Sequence, residues 1–142
     1  MQPSDLMELE QIKQLKARYF RLIDTRRWAE WADLFTEDVV ATFQTVSRDT
    51  RFEGRPALVQ GVKTFLADAV TVHHGHMPEL ELTGPATAHG IWAMYDIVRK
   101  PETTLHGYGH YEEDYLKQDG TWRIKTLRLT RLHTELLATA AS

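Results

Sequence analysis

Chemistry in this chain falls to His, Asp, Glu, Tyr, Arg and Lys. There is no Cys, and Ser occurs only at Ser4, Ser47 and Ser142. Disulfides, a thiolate nucleophile, iron–sulfur clusters and thiolate zinc sites are therefore excluded. The seven His include the run His73-His74-Gly75-His76, which invites a metal reading. On a strand, however, His73 and Gly75 point one way while His74 and His76 point the other. Spacing implies no third ligand, so no metal site is expected, and His74, His76 and His89 read as partly exposed strand residues. Gly107-Tyr108-Gly109-His110 begins like a dinucleotide loop but lacks the third Gly and a following helix. Two carboxylates stand in apolar settings. Asp24 follows Leu22-Ile23 and precedes Trp28 and Trp31, and Asp96 interrupts Ile91-Trp92-Ala93-Met94-Tyr95-Asp96-Ile97-Val98. A buried carboxylate needs a partner or must stay protonated; Arg131, in Leu129-Thr130-Arg131-Leu132, is a candidate partner.

The elements that must position these residues follow from period and punctuation. Leu9, Ile12, Leu15, Tyr19, Leu22 and Ile23 form one apolar stripe, predicting a helix over about 5–23 with Ser4 as its cap. Trp28, Trp31, Leu34 and Phe35 form a second, shorter stripe, ended by Thr36-Glu37-Asp38. Val39 to Phe43 has strand composition, and Arg48 to Glu53 reads as a loop or weak strand. Pro56 opens a third helix whose stripe is Leu58, Val62, Phe65, Leu66 and Ala69. From Val70 the period becomes two, giving strands at about 71–83, 86–99, 105–117 and 121–133, with a frayed Ala-rich tail from Leu136 to Ser142. Helices followed by a run of antiparallel strands make an α+β chain.

Asp119-Gly120 between two strand-like runs predicts a type I′ hairpin. Without a bulge, Tyr108 faces Arg131, His110 faces Leu129 and His106 faces His133, so Tyr, His and Arg would gather beside Leu127 and Leu129.

A length of 142 residues fits one domain spanning 1–142, with helices over about 5–69 and mainly sheet over about 70–133. The net charge of −3 provides no general basic field for nucleic acid or anionic lipid. The charged N-terminus MQPSDLMELEQIKQLK has no apolar export segment, and no run approaches the ~18 apolar residues of a membrane span. A cytoplasmic location is expected, with neither nucleic-acid nor membrane partners.

Several of these segments together resemble the SnoaL-like branch of the nuclear transport factor 2-like superfamily. They are Ile12-Lys13-x-Leu15-Lys16-x-x-Tyr19-Phe20-Arg21-x-x-Asp24, His73-x-Gly75-His76-x-Pro78-Glu79, Ala86-Thr87-Ala88-x-Gly90-x-Trp92, Tyr111-x-x-x-Tyr115 and Lys117-x-Asp119-Gly120-x-Trp122-x-Ile124. The similarity spans about residues 10–135. It is nearest to bile-acid 7α-dehydratase, with scytalone dehydratase and hexachlorocyclohexane dehydrochlorinase more distant.

The resemblance implies a curved antiparallel sheet forming a cone closed by N-terminal helices, with a deep pocket inside. It places an Asp–His dyad on Asp24 and His73, a dehydratase tyrosine on Tyr19 and a second acid on Asp96. The late arginine falls on Arg131, with Arg128 as the slip alternative. Trp92, Tyr108, His110 and Leu129 are the expected substrate contacts. In such a site His73 takes a proton activated by a carbonyl, since imidazole titrates near ~6.5 and serves as a neutral base. Asp24 fixes its tautomer, Tyr19 donates to the developing oxyanion, and protonated Asp96 or Arg131 assists the leaving group. The implied activity is a cofactor-independent dehydratase or lyase acting on a small hydrophobic hydroxy-carbonyl compound, polycyclic or aromatic. An isomerase or cyclase, or a non-catalytic binding domain, are the alternatives. The resemblance further implies a homo-oligomer, trimer ahead of dimer, with Tyr111, Tyr115, Trp122 and Ile124 offered as its apolar face.

Overall fold

The computed structural model describes residues 1–140. Helix α1 runs Pro3–Asp24, α2 runs Trp28–Ala32, and β1 (Phe35–Gln44) and β2 (Asp49–Glu53) form a hairpin. Helix α3 (Arg55–Phe65) then leads into β3 (Val70–Gly84), β4 (Thr87–Arg99), β5 (Thr103–Gln118) and β6 (Thr121–Ala138). The α+β order is as expected, and the helices pack on one face of a six-stranded sheet of order β2-β1-β6-β5-β4-β3.

Several boundaries and pairings depart from expectation. Helix α1 starts one residue before Ser4, at Pro3. Its first turn is closed by Asp5, whose Oδ2 accepts from the Gln2 amide at 2.8 Å. Leu34 and Phe35 lie beyond α2, because Phe35 already pairs with Ile124 as the first residue of β1. The sheet is mixed: β1 runs parallel to β6, whereas the other neighbours are antiparallel. The run of antiparallel strands expected from about residue 70 is present as β3 to β6, and the parallel pair is made by the earlier β1. The intervening β2, α3, β3, β4 and β5 together make the long connection from β1 to β6. The tail is ordered further than expected, since β6 pairs through Ala138 with Thr103; the last two residues of the expected frayed segment lie outside those described.

The hairpin turn is as predicted. Asp119 and Gly120 both have positive φ, 50° and 80°, and Gln118 pairs with Thr121, the geometry of a two-residue I′ turn. The register beyond it is not. Shifts between Asp114 and Tyr115 and between Tyr108 and Gly109 place Gly109 opposite Arg131, Tyr108 opposite His133 and His110 opposite Thr130. Each bulge adds a residue to one strand and changes which side chains share a face.

The core lies between the inner sheet face and α1. Tyr19, Trp31 and Phe35 pack edge-on or tilted within 4.7–6.1 Å of one another, over Ile12, Leu15, Leu58, Ile124 and Leu127. Tyr111, Tyr115, Trp122 and Ile124 belong to this same core, which removes them as an outward apolar face for association. Their strand positions alternate inward, and the helices cover them. The outer face instead carries Tyr95, His106, Tyr108 and His133 as neighbouring rings.

Candidate active site

Asp24 is the last residue of α1, and the chain turns there through Arg26 at φ 61°. That turn delivers the carboxylate to the edge strand β3. Oδ1 accepts from Thr71 Oγ1 at 2.9 Å, and Oδ2 accepts from the His73 amide at 2.8 Å. Oδ1 also lies 2.7 Å from His73 Nδ1. A carboxylate can only accept, so Nδ1 carries a ring proton, and in the neutral imidazole Nε2 is the nitrogen with the lone pair. Arg26 supports the turn: Nη1 donates to Thr71 Oγ1 at 2.9 Å and to the Ile23 carbonyl at 2.7 Å, and Nη2 donates to the Ala69 carbonyl at 2.5 Å. Burial lowers the Arg26 guanidinium below its usual range, with the Asp24 charge opposing that shift.

His73 Nε2 faces the neighbouring strand. Asp96 on β4 is paired directly with His73 in the sheet, and its Oδ2 lies 4.0 Å from Nε2. Arg131 on β6 grips Asp96 with both arms, Nη1 to Oδ1 at 2.9 Å and Nη2 to Oδ2 at 3.0 Å. This fork is the pairing of guanidinium with carboxylate, and it gives Asp96 the candidate partner its apolar strand setting called for. Gln44 holds the arginine in turn, accepting from the Arg131 amide at Oε1 (2.8 Å) and from Nε at its carbonyl (3.1 Å). The pair crosses β5 at Gly107. A Cβ there would stand 1.8 Å from Arg131 Nη1 and 2.2 Å from Asp96 Oδ1, so only glycine leaves room for it.

Tyr19 is fully buried one turn and a half before Asp24. Its ring stands edge-on to that of Tyr111 at 5.7 Å, and burial pushes both phenols well above their usual range. The charges of Asp96 and Asp24 add to the shift at Tyr19, and that of Asp96 at Tyr111. The Tyr19 phenol therefore feels both carboxylates that flank His73, and the Tyr111 phenol feels Asp96.

Asp24, His73, Asp96 and Arg131 are thus brought together, while Tyr19 is buried in the core against Phe20, Trp31, Phe35 and Tyr111. Arg128 is exposed and pairs with Thr42 and Glu112 on its neighbouring strands, away from Asp96. Of the expected substrate contacts, Trp92 and Leu129 point inward, and Trp92 Nε1 donates to Tyr115 Oη at 2.9 Å. Tyr108 stacks on Tyr95 and His133 on the outer face, and His110, two residues on along the same strand, shares that face. The register shift takes these two off the sheet face of Leu129 and Arg131. No cluster of three metal-ligating side chains occurs among the described residues.

The implied deep pocket takes a different form. Beneath the dyad the interior is occupied by Lys16, Tyr19, Trp92, Tyr111 and Tyr115, all buried. The opening that reaches the dyad is a pocket of about 400 Å³ between α1 and β3, lined by Phe20, Arg21, Asp24, His73, Gly75 and His76 among others. It has the volume of a small-ligand site. Gly75 matters here, since a Cβ at that position would meet the Phe20 ring at 2.6 Å.

The SnoaL-like domain model matches residues 4–128, and the chain belongs to that family. A crystal structure of a protein inferred to be a scytalone dehydratase, from Novosphingobium aromaticivorans, superposes with a TM-score of 0.87 at 22% identity, covering 100% of this chain and 95% of that one. A type 2 hexachlorocyclohexane dehydrochlorinase gives a TM-score of 0.85 at 18% identity, over 96% and 93% of the two chains. A Mycobacterium tuberculosis protein of unknown function is 29% identical, with a TM-score of 0.77 over 92% and 76%. These likenesses establish the nuclear transport factor 2-like fold. Among the described residues no helix is long and apolar enough to cross a membrane.

Thr71, Arg26, Gln44 and Gly107 are functional supports that the sequence does not announce. Thr71 shares the strand face of His73 two residues on; Arg26 reaches it across 45 residues and Gln44 reaches Arg131 across 87, separations that only the fold closes, and Gly107 makes room for the Asp96–Arg131 pair on the strand between them.

Proposed function

We propose that this chain is a cofactor-independent lyase of the dehydratase type, acting on a small polycyclic or aromatic hydroxy-carbonyl compound. The observation that carries this reading is the 2.7 Å Asp24–His73 contact, with His73 Nε2 left free toward the Asp96–Arg131 pair. Nε2 takes a proton from the carbon beside the carbonyl, and Asp24 stabilises the imidazolium that forms. Electron density moves to the carbonyl oxygen, to which Tyr19 donates. The enolate then expels the β-hydroxyl, which takes the proton from His73 and leaves as water. Arg131 donates to the departing oxygen, and the reaction balances without redox chemistry. The names of the structural neighbours, one dehydratase and one dehydrochlorinase, describe eliminations and support this class. A binding-only domain would be favoured by an Asp24 turned to solvent away from His73, which is not the arrangement seen.

The test is a panel of ring-fused β-hydroxy ketones followed by the absorbance of the conjugated enone. Turnover is expected in the native chain, with Asp24→Ala and His73→Ala each removing it while the fold stays intact. Undiminished turnover in either variant contradicts the assignment. The reading includes a homo-oligomer in the cytoplasm, trimer ahead of dimer. Light scattering checks the assembly, and a monomeric mass refutes it.

A further inference from the structure

A second buried charge lies beneath the dyad. Lys16 Nζ is 2.7 Å from Glu113 Oε2, and neither side chain reaches solvent. The other oxygen of Glu113 accepts from Tyr115 Oη at 2.7 Å. The ammonium of Lys16 sits 3.8 Å from the ring centre of Tyr19 and 3.7 Å from that of Tyr111, with Phe20 at 5.1 Å. Helix α1 places Lys16 one turn before Tyr19, and β5 places Tyr111 and Glu113 two apart on its inner face. One cation is thus clamped between two phenols and anchored by one carboxylate.

Stability alone is a poor reason for this arrangement. Buried ion pairs are often matched or bettered by apolar residues of similar size, and every neighbouring stripe position of α1 is apolar. What the cation adds is a field on the faces of two phenols whose rings stand 5.7 Å apart. We infer that Lys16, anchored by Glu113, is a positioning residue. It holds the Tyr19–Tyr111 phenol pair so that their hydroxyls serve one developing oxyanion on the substrate. The inference rests on the proposed role of Tyr19. A cation on the π face stabilises negative charge shared into the phenol oxygen during donation. The substrate class narrows accordingly to carbonyl compounds, whose oxygen can receive the pair, over halogenated hydrocarbons, which have none.

Burial lowers Lys16 from 10.5 to about 8, against the raising effect of Glu113. The groups facing it are Glu113 and Tyr111 from β5 and Tyr19 and Phe20 from α1, with Tyr115 acting through Glu113. The cation is present below that value and lost above it.

The experiment uses the full chain labelled with ¹³Cζ-tyrosine. In the native protein the Tyr19 and Tyr111 signals should shift together as pH rises through about 8, while Tyr108 on the outer face stays still. Folded Lys16→Met should lack that transition, and Glu113→Gln should move it to lower pH. A native protein without the joint shift, or a folded Lys16→Met protein that keeps it, overturns the inference. Where Lys16→Met does not fold, the native pH series decides. A kinetic arm follows hydrogen–deuterium exchange of β-tetralone: kcat should fall about tenfold or more in Lys16→Met, with KM little changed. An unchanged kcat overturns the inference. Absence of exchange in the native protein counts against the lyase reading, and the tyrosine signals then decide the positioning role.

Discussion

Asp24 illustrates how much one carboxylate can set. Its two oxygens accept from Thr71, from the His73 amide and from the His73 ring, which leaves a single tautomer of the imidazole. Asp24→Asn keeps the shape but offers an amide donor to Nδ1. It is therefore expected to lower turnover by ~10²–10⁴-fold, the usual contribution of an oriented general base; steady-state kinetics on a native-like variant checks this. Gly107→Ala is expected to be worse for the structure than its size suggests, because the added methyl enters the space of the Asp96–Arg131 fork. Overpacking of this kind costs about 1–3 kcal/mol, readable as a lowered urea midpoint accompanied by lost turnover. Asp96 was legible as a carboxylate inside an apolar strand, and Arg131 as its candidate partner. Lys16 was not, because in the sequence it is one more basic residue on a helix with Lys13, Arg18 and Arg21. Only the fold shows that its turn of the helix faces Glu113.

Among the elements, the β5–β6 hairpin decides which residues can meet. Its turn was readable because Asp-Gly satisfies two positive-φ positions locally. Gly120 has open space around its missing Cβ, so Gly120→Ala is expected to cost only the left-handed strain, about 1–2 kcal/mol, seen as a shifted denaturation midpoint without loss of turnover. The register upstream was not readable, because two bulges arise from contacts made after the strands pair. At Gly109 the backbone of Thr130 comes within 1.9 Å of where a Cβ would stand, and that close approach accompanies the slip which takes Tyr108 and His110 off the face of Leu129 and Arg131. The hairpin is tied back to α1 by Glu8, whose carboxylate accepts from Lys117 Nζ at 2.7 Å and Trp122 Nε1 at 2.5 Å. These bonds hold Glu8 below its usual 4.5. The unfolded chain therefore takes up the proton first, and the stabilisation, full above about 4.5, fades as pH falls through the lower folded value. Glu8→Gln should flatten that acid limb in a series of urea midpoints between about pH 3 and pH 6; an unchanged limb would show the tether to be idle.

Across the whole molecule, the helix-then-sheet order was legible from the change of hydrophobic period near Val70. The parallel pairing of β1 with β6 was not, since it joins strands separated by the rest of the domain. Nor was the filled interior. Large residues at Tyr19, Trp92, Tyr111 and Tyr115 occupy the space beneath the dyad, leaving access through the pocket between α1 and β3. With Tyr111, Tyr115, Trp122 and Ile124 buried within the subunit, any assembly must use other surfaces. The central claim is that His73, oriented by Asp24 and set against the Asp96–Arg131 pair, removes a proton from carbon beside a carbonyl. The most direct measurement is proton NMR of β-tetralone and its α isomer in deuterium oxide with the native chain, Asp24→Asn and His73→Ala. Loss of the α-hydrogen signal with the native protein, slowed at least ~10²-fold in both variants, is the expected result. Exchange that proceeds equally in His73→Ala would contradict the account.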